Sequence, residues 1–435
     1  MSQELSLDTI DIIAPGTYAD AGYPHEAWKL LRREAPIFYW DRGVQNPFYA
    51  VTRHEDIIRI SKQPKRFRNG PRMAVLIGGD ASQTGGLPPE AAGEGAVPQD
   101  RPRLIRQLLN MDPPEHAKYR KVASGWFTPR AIRRREAEVE RITRELLDDL
   151  APGKGETDFV EAITAPLTLS VLADMLGVPR EDWRLLFRWT NQIAGSADPE
   201  YQEPGESAFE TVRRARESLF KYFAELAQKR LADPRDDMVS VISRGRVDGE
   251  PLPPLEMLSY FLVLVGAGNE TTRNAASGGL LALIENPGEL EKLKRNPDLI
   301  DSAVEEIVRW TSPVIQFCRT PVEDLEIRGQ KIRAGEHLCL FYPSANRDEA
   351  VFDEPDVFKV DRAPNPHVGF GIGEHFCLGA NLARLELRVL FRQLVERMET
   401  VELAGPVERV RSSFLGGVKR MPLRYEMRSP RVPAT

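Results

Sequence analysis

The fold is decided by one string: Phe370-Gly371-Ile372-Gly373-Glu374-His375-Phe376-Cys377-Leu378-Gly379-Ala380. Two glycines, Gly371 and Gly373, precede the cysteine, and glycine enters left-handed backbone conformations without steric cost. A tight loop of that kind can aim backbone N–H groups at the Cys377 sulfur. The next residues read as a strong helix over 378–398, whose N-terminus adds the positive end of its dipole. Both effects favour thiolate over thiol. Gly379, at the start of that helix, leaves room for a flat group to come close. Taken alone, the string also fits a buried cysteine beside a glycine-rich turn.

Cys318 and Cys339 are the other two cysteines. Three thiols with no CxxC pair make neither a disulfide framework nor a zinc ribbon. Gly335-Glu336-His337-Leu338-Cys339-Leu340 imitates residues 373–378. It lacks the Phe-Gly-any-Gly lead, has Phe341 where the later string has Gly379, and sits in an alternating segment with no helix behind it. Cys339, and Cys318 in a similar context, are expected to be packed strand residues.

The chain of 435 residues is 41% hydrophobic and 29% charged, the balance of an ordinary water-soluble protein. Lys and Arg number 59 against 65 Asp and Glu, a net charge of −6. That balance disfavours a general nucleic-acid binder. The N-terminus has no basic region followed by an apolar run, so no signal peptide is expected. The most apolar stretch, around Leu258–Val265, is far short of the roughly 20 residues that span a bilayer. A cytoplasmic protein without a membrane anchor is the expectation.

Periodicity predicts mainly helix with small sheets at both ends, and no βαβ alternation. Helices are expected over about 113–124, 129–150, 164–177, 181–195, 206–232, 254–285, 299–311 and 378–398. FYAVTR at 48–53 and the alternating stretch 318–342 read as strands, as do short segments near the C-terminus. The Gly-, Pro- and Ala-rich segment 78–103 reads as a long loop, either a lid or plain surface. A single domain over 1–435 is expected.

The helix at 254–285 carries Gly266-Ala267-Gly268-Asn269-Glu270-Thr271-Thr272. Each glycine inside a helix costs about 1 kcal/mol relative to alanine, and adjacent threonines add poor helix formers. Such a violation points to a ligand in close approach, a kink, or a patch of small residues for helix packing. A threonine hydroxyl bonding back to the preceding turn can open the helix. An acid followed by an alcohol can relay protons. Glu306 and Arg309, in EEIVRW, share one helix face. By themselves they read as a surface ion pair of little energetic weight.

The cysteine string resembles the signature of the cytochrome P450 superfamily (Phe, Gly, any, Gly, any, His, any, Cys, any, Gly) at every fixed position. The resemblance implies the cytochrome P450 fold, mainly α with small sheets. It implies haem b between the long central helix and the cysteine loop, with Cys377 as axial ligand and Phe370, Gly371, His375 and Gly379 beside it. The central helix is similar to the family's oxygen-activating helix, with Glu270 and Thr271 as the acid–alcohol pair and Ala267 and Gly268 bordering the haem. His116 and Arg120 match a His-any-any-any-Arg pair, and with Arg319 and His375 they are implied to bind the haem propionates. Glu306, Arg309 and Arg362 match a buried structural triad. NMDPPEHAKYRK, ADMLGVPREDW, AGNETTRN, NPHVGFGIGEHFCLGANLAR and RSSFLGGVKR look most like bacterial hydroxylases of sterol side chains and branched lipids.

The resemblance implies a monooxygenase that hydroxylates an apolar small molecule (steroid, terpenoid or fatty-acid-like) with dioxygen and two electrons. The substrate wall is expected from Gly266, Ala267, Val314, Phe317 and Phe414, which also read as ordinary core. No flavin or iron–sulfur motif is present, so electrons are expected from a separate ferredoxin and its ferredoxin reductase. Arg133–Arg135 and the helix bearing Arg384, Arg388 and Arg392 offer a steering patch, or simply solvated helix faces. Two rivals remain: a peroxide-driven peroxygenase on the same fold, and a non-catalytic haem-binding module. An intact acid–alcohol pair argues against both.

Overall fold

Pro254 opens and Asn286–Pro287 close the longest helix, a 32-residue segment apolar on most sides. Proline suits the first helical position, where its missing N–H would be unbonded anyway. A helix buried nearly all round belongs in a core. The computed structural model describes residues 5–44, 46–75, 106–150, 153–195 and 198–428. The segment 78–103, expected as a long loop that is either a lid or plain surface, lies outside the described residues.

The helices of eight or more residues are α1 (His25–Glu34), α2 (His54–Ser61), α3 (Glu115–Ser124), α4 (Glu136–Asp148), α5 (Ala165–Leu176), α6 (Trp183–Ala194), α7 (Ala208–Ala232), α8 (Pro254–Glu285), α9 (Pro287–Arg295), α10 (Ile300–Thr311) and α11 (Ala380–Arg397). Local chemistry sets several ends. A Ser207–Glu210 capping box starts α7, and Gly177 at φ +76° ends α5. The helix expected over 129–150 is two pieces, Pro129–Arg133 and α4, parted at Arg134–Arg135. α8 packs against α5, α6, α7, α10 and α11 and forms the axis of the main core.

The strands that place the site are β1 (Ile37–Trp40), β2 (Phe48–Val51), β3 (Phe67–Arg68), β4 (Gly153–Asp158), β5 (Gln316–Pro321), β6 (Leu338–Phe341), β7 (Met398–Leu403) and β8 (Pro422–Met427). The small sheets are present as expected, and their pairing joins distant parts of the chain. The early strands and those of 316–341 share one five-stranded sheet, β1-β2-β6-β5-β3, in which β2 and β6 run parallel. The C-terminal strands form a second sheet, β7-β8-β4, completed by Gly-Lys-Gly-Glu-Thr-Asp at 153–158. That segment has no strand-like composition; its partner β8 imposes the extended form. A second core under the five-stranded sheet gathers Trp28, Trp40, Phe48, Phe341, Cys318 and Cys339. Among the described residues, no helix is long and apolar enough to cross a membrane.

Candidate active site

Gly371 and Gly373 both take positive φ, +68° and +78°. A Cβ on Gly373 would also lie 2.5 Å from the Ser61 carbonyl oxygen at the end of α2. The loop closes through Phe376 N–H to Gly373 O (3.1 Å) and Cys377 N–H to Phe370 O (2.9 Å). The N–H groups of Gly379 and Ala380 lie near the half-buried Cys377 sulfur and act to lower its pKa, while the bond that Ala380 N–H makes is to Cys377 O (3.5 Å). The arrangement departs from expectation in one respect. Burial pushes the thiol up and outweighs those N–H groups and the charges of Arg120 and Arg384, so the loop alone does not yield a thiolate. A coordinated metal would, because a ligating thiol is deprotonated outright.

Around the loop stand the four candidate propionate partners. The His116 and His375 rings stack at 3.9 Å. Arg120 donates to Phe376 O (2.6 Å) and Arg319 to Cys318 O (2.8 Å). Among the described residues, neither guanidinium has a carboxylate in salt-bridge range. Burial and then the Arg120 charge lower His116 to about 4. Burial, then His116, Arg319 and Arg120, bring His375 down to about 2. Four N–H donors crowded together without an anion form a receptor for one.

On α8, Ala267 is exposed although the helix around it is buried, and a Cβ on Gly266 would meet nothing within 4 Å. A Cβ on Gly379 would also enter open space. Thr271 is half-buried and donates through Oγ1 to Ala267 O (2.8 Å). Gly268 departs from the expected direction: a Cβ there would lie 3.1 Å from Leu172 on α5. Its small size serves the α5–α8 contact rather than the open face. Glu270 is buried and forms an ion pair with Arg273, whose Nη1 donates to Asn191 Oδ1 on α6 (3.1 Å). Burial raises the Glu270 carboxyl, and Arg273 only partly offsets it. Asn269, next in sequence, is held by Thr168 (2.9 Å) and Thr190 (3.1 Å). Arg273 escaped notice in the sequence, although its spacing of three from Glu270 was the signal.

Glu306, Arg309 and Arg362 meet in one buried cluster. Arg309 donates to both Glu306 oxygens (2.7 and 2.8 Å), and Arg362 Nε adds bonds of 3.0 and 3.1 Å. The remaining guanidinium N–H groups reach carbonyls of Asn346, Pro355, Val357, Asp353 and Glu354. The surface-pair reading of Glu306 and Arg309 is thereby excluded. Val314, Phe317 and Phe414 also come together: Val314 bridges to Leu415, and the two phenylalanine rings lie 5.5 Å apart, edge to face.

The arginine patch shrinks. Arg384 is bidentate on Glu305 (2.6 and 2.7 Å), Arg388 pairs with Asp301 (2.6 Å), and Arg135 reaches Asp174 (3.4 Å). Arg133, Arg134 and Arg392 stay exposed.

Residues 89–425 match the cytochrome P450 family. The chain is 36% identical over 416 residues to the steroid C26-monooxygenase of Mycolicibacterium smegmatis, covering 92% of this chain and 90% of that one. It is 37% identical over 409 residues to the methyl-branched lipid omega-hydroxylase of Mycobacterium tuberculosis, with the same coverage. A Mycobacterium marinum cytochrome P450 solved in complex with pseudoionone superposes with a TM-score of 0.84 at 34% identity, over 97% of this chain and 100% of that one. Identity of that order along nearly the full length of each relative, on the same fold, means that the chain belongs to the cytochrome P450 family and is a monooxygenase of the bacterial kind, with the haem cofactor that the family implies.

Proposed function

We propose that the protein hydroxylates an apolar small molecule of steroid, terpenoid or branched acyl type in the cytoplasm, using haem b bound through Cys377. Electrons come from a separate ferredoxin, itself reduced by a ferredoxin reductase. The carrying observation is the Cys377 sulfur, placed just before the start of α11 in a loop closed by Cys377 N–H to Phe370 O and flanked by four cationic or N–H donors that lack a carboxylate. The residues present fit haem well. Among the described residues there is no group of three or more His, Cys, Asp or Glu able to hold a metal by itself. A single thiolate suffices only when the remaining ligands come with the metal, and two carboxylates on the same group would answer the donors around His375.

When bound, haem supplies the redox chemistry that activates dioxygen and puts one oxygen atom into a C–H bond. The chain supplies binding, orientation and protons. Cys377 would hold the haem iron through its sulfur, with the nearby Gly379 and Ala380 N–H groups easing its negative charge. His116, Arg120, Arg319 and His375 would hold its propionates. Gly266 and Ala267 keep the α8 face low. Thr271 Oγ1 holds a proton on that face, and Glu270 resupplies it from the Arg273 side of the helix. Val314, Phe317 and Phe414 form an apolar wall that orients substrate and keeps water out. Relatives that act on a steroid and on a methyl-branched lipid support the substrate class.

The test is a visible-absorption titration of the purified ferric protein with steroids, terpenoids and branched or long-chain fatty acids. A low-to-high-spin shift with one class identifies the substrate. No shift with any class, in a protein whose reduced carbonyl spectrum still shows thiolate ligation, would keep the haem assignment and reject the apolar substrate.

A further inference from the structure

We propose that Cys318 and Cys339 form a reversible dithiol–disulfide couple, closed by hydrogen peroxide, that staples β5 to β6 beside the active site.

The two cysteines are direct partners in the antiparallel register of β5 and β6. Hydrogen bonding tells which kind of pair they are. Cys318 N–H donates away from β6, to Met73 O (2.6 Å), and Tyr342 N–H donates to Ile315 O (3.0 Å). Counting along the ladder from Ile315–Tyr342, the Cys318–Cys339 step is a non-hydrogen-bonded pair. Such pairs have the closer side chains, with Cα atoms about 4.5 Å apart. That separation is at the short end of the roughly 4.4–6.8 Å that a disulfide spans. A bond there forms without backbone rearrangement but carries strain. Strained disulfides are the readily reduced ones, so the couple is reversible rather than structural.

Both side chains lie on the same face of the sheet, buried among Trp40, Phe48, Ala50 and Phe341. Cys339 Sγ donates its proton to Gln316 Oε1 (3.3 Å), and the two thiols are close enough to perturb each other. The two are unequal. Burial raises both, but the neighbouring Cys339 thiol and the charges of Arg72 and Arg319 bring Cys318 below its usual value, while Cys339 stays well above. Cys318 is therefore the first nucleophile. Its sulfur attacks one peroxide oxygen, the O–O bond breaks, and a sulfenic acid and water result. The Cys339 sulfur then attacks the sulfenic sulfur, forming the S–S bond and releasing a second water. Two thiols lose two electrons and two protons, and one peroxide becomes two waters.

The oxidant has a local source. A monooxygenase brings dioxygen and electrons to one place, and two-electron reduction of dioxygen without substrate oxidation gives hydrogen peroxide. Cys318 sits between Phe317 and Arg319, whose side chains point to the opposite face of the strand. One strand thickness thus separates the thiol pair from the residues proposed to line the site. Closing the bond locks the strand that carries both of them.

The experiment uses the holoenzyme. It is treated with hydrogen peroxide, quenched with catalase, alkylated and digested with trypsin. The three cysteines fall in separate peptides: Trp310–Arg319, Ala334–Arg347 and Ala363–Arg384. The expected result is a cross-linked pair of the first two, released by dithiothreitol, with a higher urea midpoint in the oxidised protein. Cys318→Ala and Cys339→Ala should each abolish both the cross-link and the rise. Recovery of the first two peptides with free or separately oxidised cysteines, at a peroxide dose that already bleaches the haem, would overturn the proposal. That readout needs no variant to fold.

Discussion

Glu270 and Arg273, one turn apart on α8, close a buried ion pair on a different side of the helix from the open face where Thr271 bonds to Ala267 O. Successive helical residues are about 100° apart, so an acid and the alcohol after it need not face the same space. In the proposed relay, the proton on Thr271 Oγ1 is replaced from a group held on another side of the helix. Glu270→Gln is expected to lower turnover by about 10²–10⁴-fold, the range for a positioned acid–base group, with substrate affinity unchanged. Arg273→Met leaves the Glu270 carboxyl buried and unpaired, at about 3–5 kcal/mol. It also removes the influence that opposes burial, so Glu270 rises further and stays protonated to higher pH. The pH profile of turnover should shift upward in that variant. A Glu270→Gln enzyme with wild-type turnover would remove the residue from the relay.

Much of the fold and site was legible because the chemistry demands particular residues. The cysteine loop needs glycine where φ is positive, and Gly371 and Gly373 announce it. Pro254 and Asn286–Pro287 mark the ends of α8 by rules that act within one turn. What escaped depends on partners distant in the chain. Gly268 looks like Gly266 in the string, yet only packing reveals that one meets Leu172 and the other nothing. Nothing in the sequence marks Glu305, to which the fold brings Arg384 and His367. The pairing of β8 with β4 overrides a segment with no strand propensity.

The two glycines Gly266 and Gly373 should answer oppositely to alanine. At Gly266 the new Cβ enters open space, so Gly266→Ala should stabilise α8 by about 1 kcal/mol through helix propensity. Because that methyl projects from the proposed substrate wall, it should also change the spectral affinity for substrate. At Gly373 the Cβ meets the Ser61 carbonyl and the backbone has positive φ. Gly373→Ala should cost haem occupancy, read as a smaller thiolate-type reduced carbonyl spectrum per unit protein. Equal behaviour of the two variants would contradict the loop geometry.

Glu305 predicts an acid-side loss of stability. Burial pushes its carboxyl up, but hydrogen bonds from Arg384 and His367 outweigh that and bring it from 4.5 to about 2. A carboxyl lowered on folding stabilises fully above its unfolded value and loses that contribution as pH falls toward the folded value. The window is therefore from 4.5 down to about 2. Urea midpoints measured from about pH 6 to about pH 3 should fall more steeply for wild type than for Glu305→Gln. Parallel curves would show that the Glu305 cluster has no linkage to folding.

An electron donor should meet the protein near the cysteine loop. The segment 125–133 packs against the start of α11, just after Cys377, and Asn381 Nδ2 donates to Phe127 O (2.9 Å). Arg133 and Arg134, in and just after that segment, are exposed cations, and Arg392 is exposed further along α11. Arg384 and Arg388 already neutralise Glu305 and Asp301, so their charges are weak lures for a partner. Arg133→Glu with Arg134→Glu should slow reduction by an acidic ferredoxin at low ionic strength. The deficit should shrink with added salt, because exposed charges are screened over roughly 10 Å at 0.1 M. Arg388→Glu should alter the rate less, since its loss is mainly a surface pair of about 0–1 kcal/mol. Arg384→Glu should act through stability, by placing a carboxylate against Glu305. Stopped-flow reduction under carbon monoxide separates these cases. A salt-independent rate, unchanged by the Arg133–Arg134 reversal, would move the docking surface away from this face.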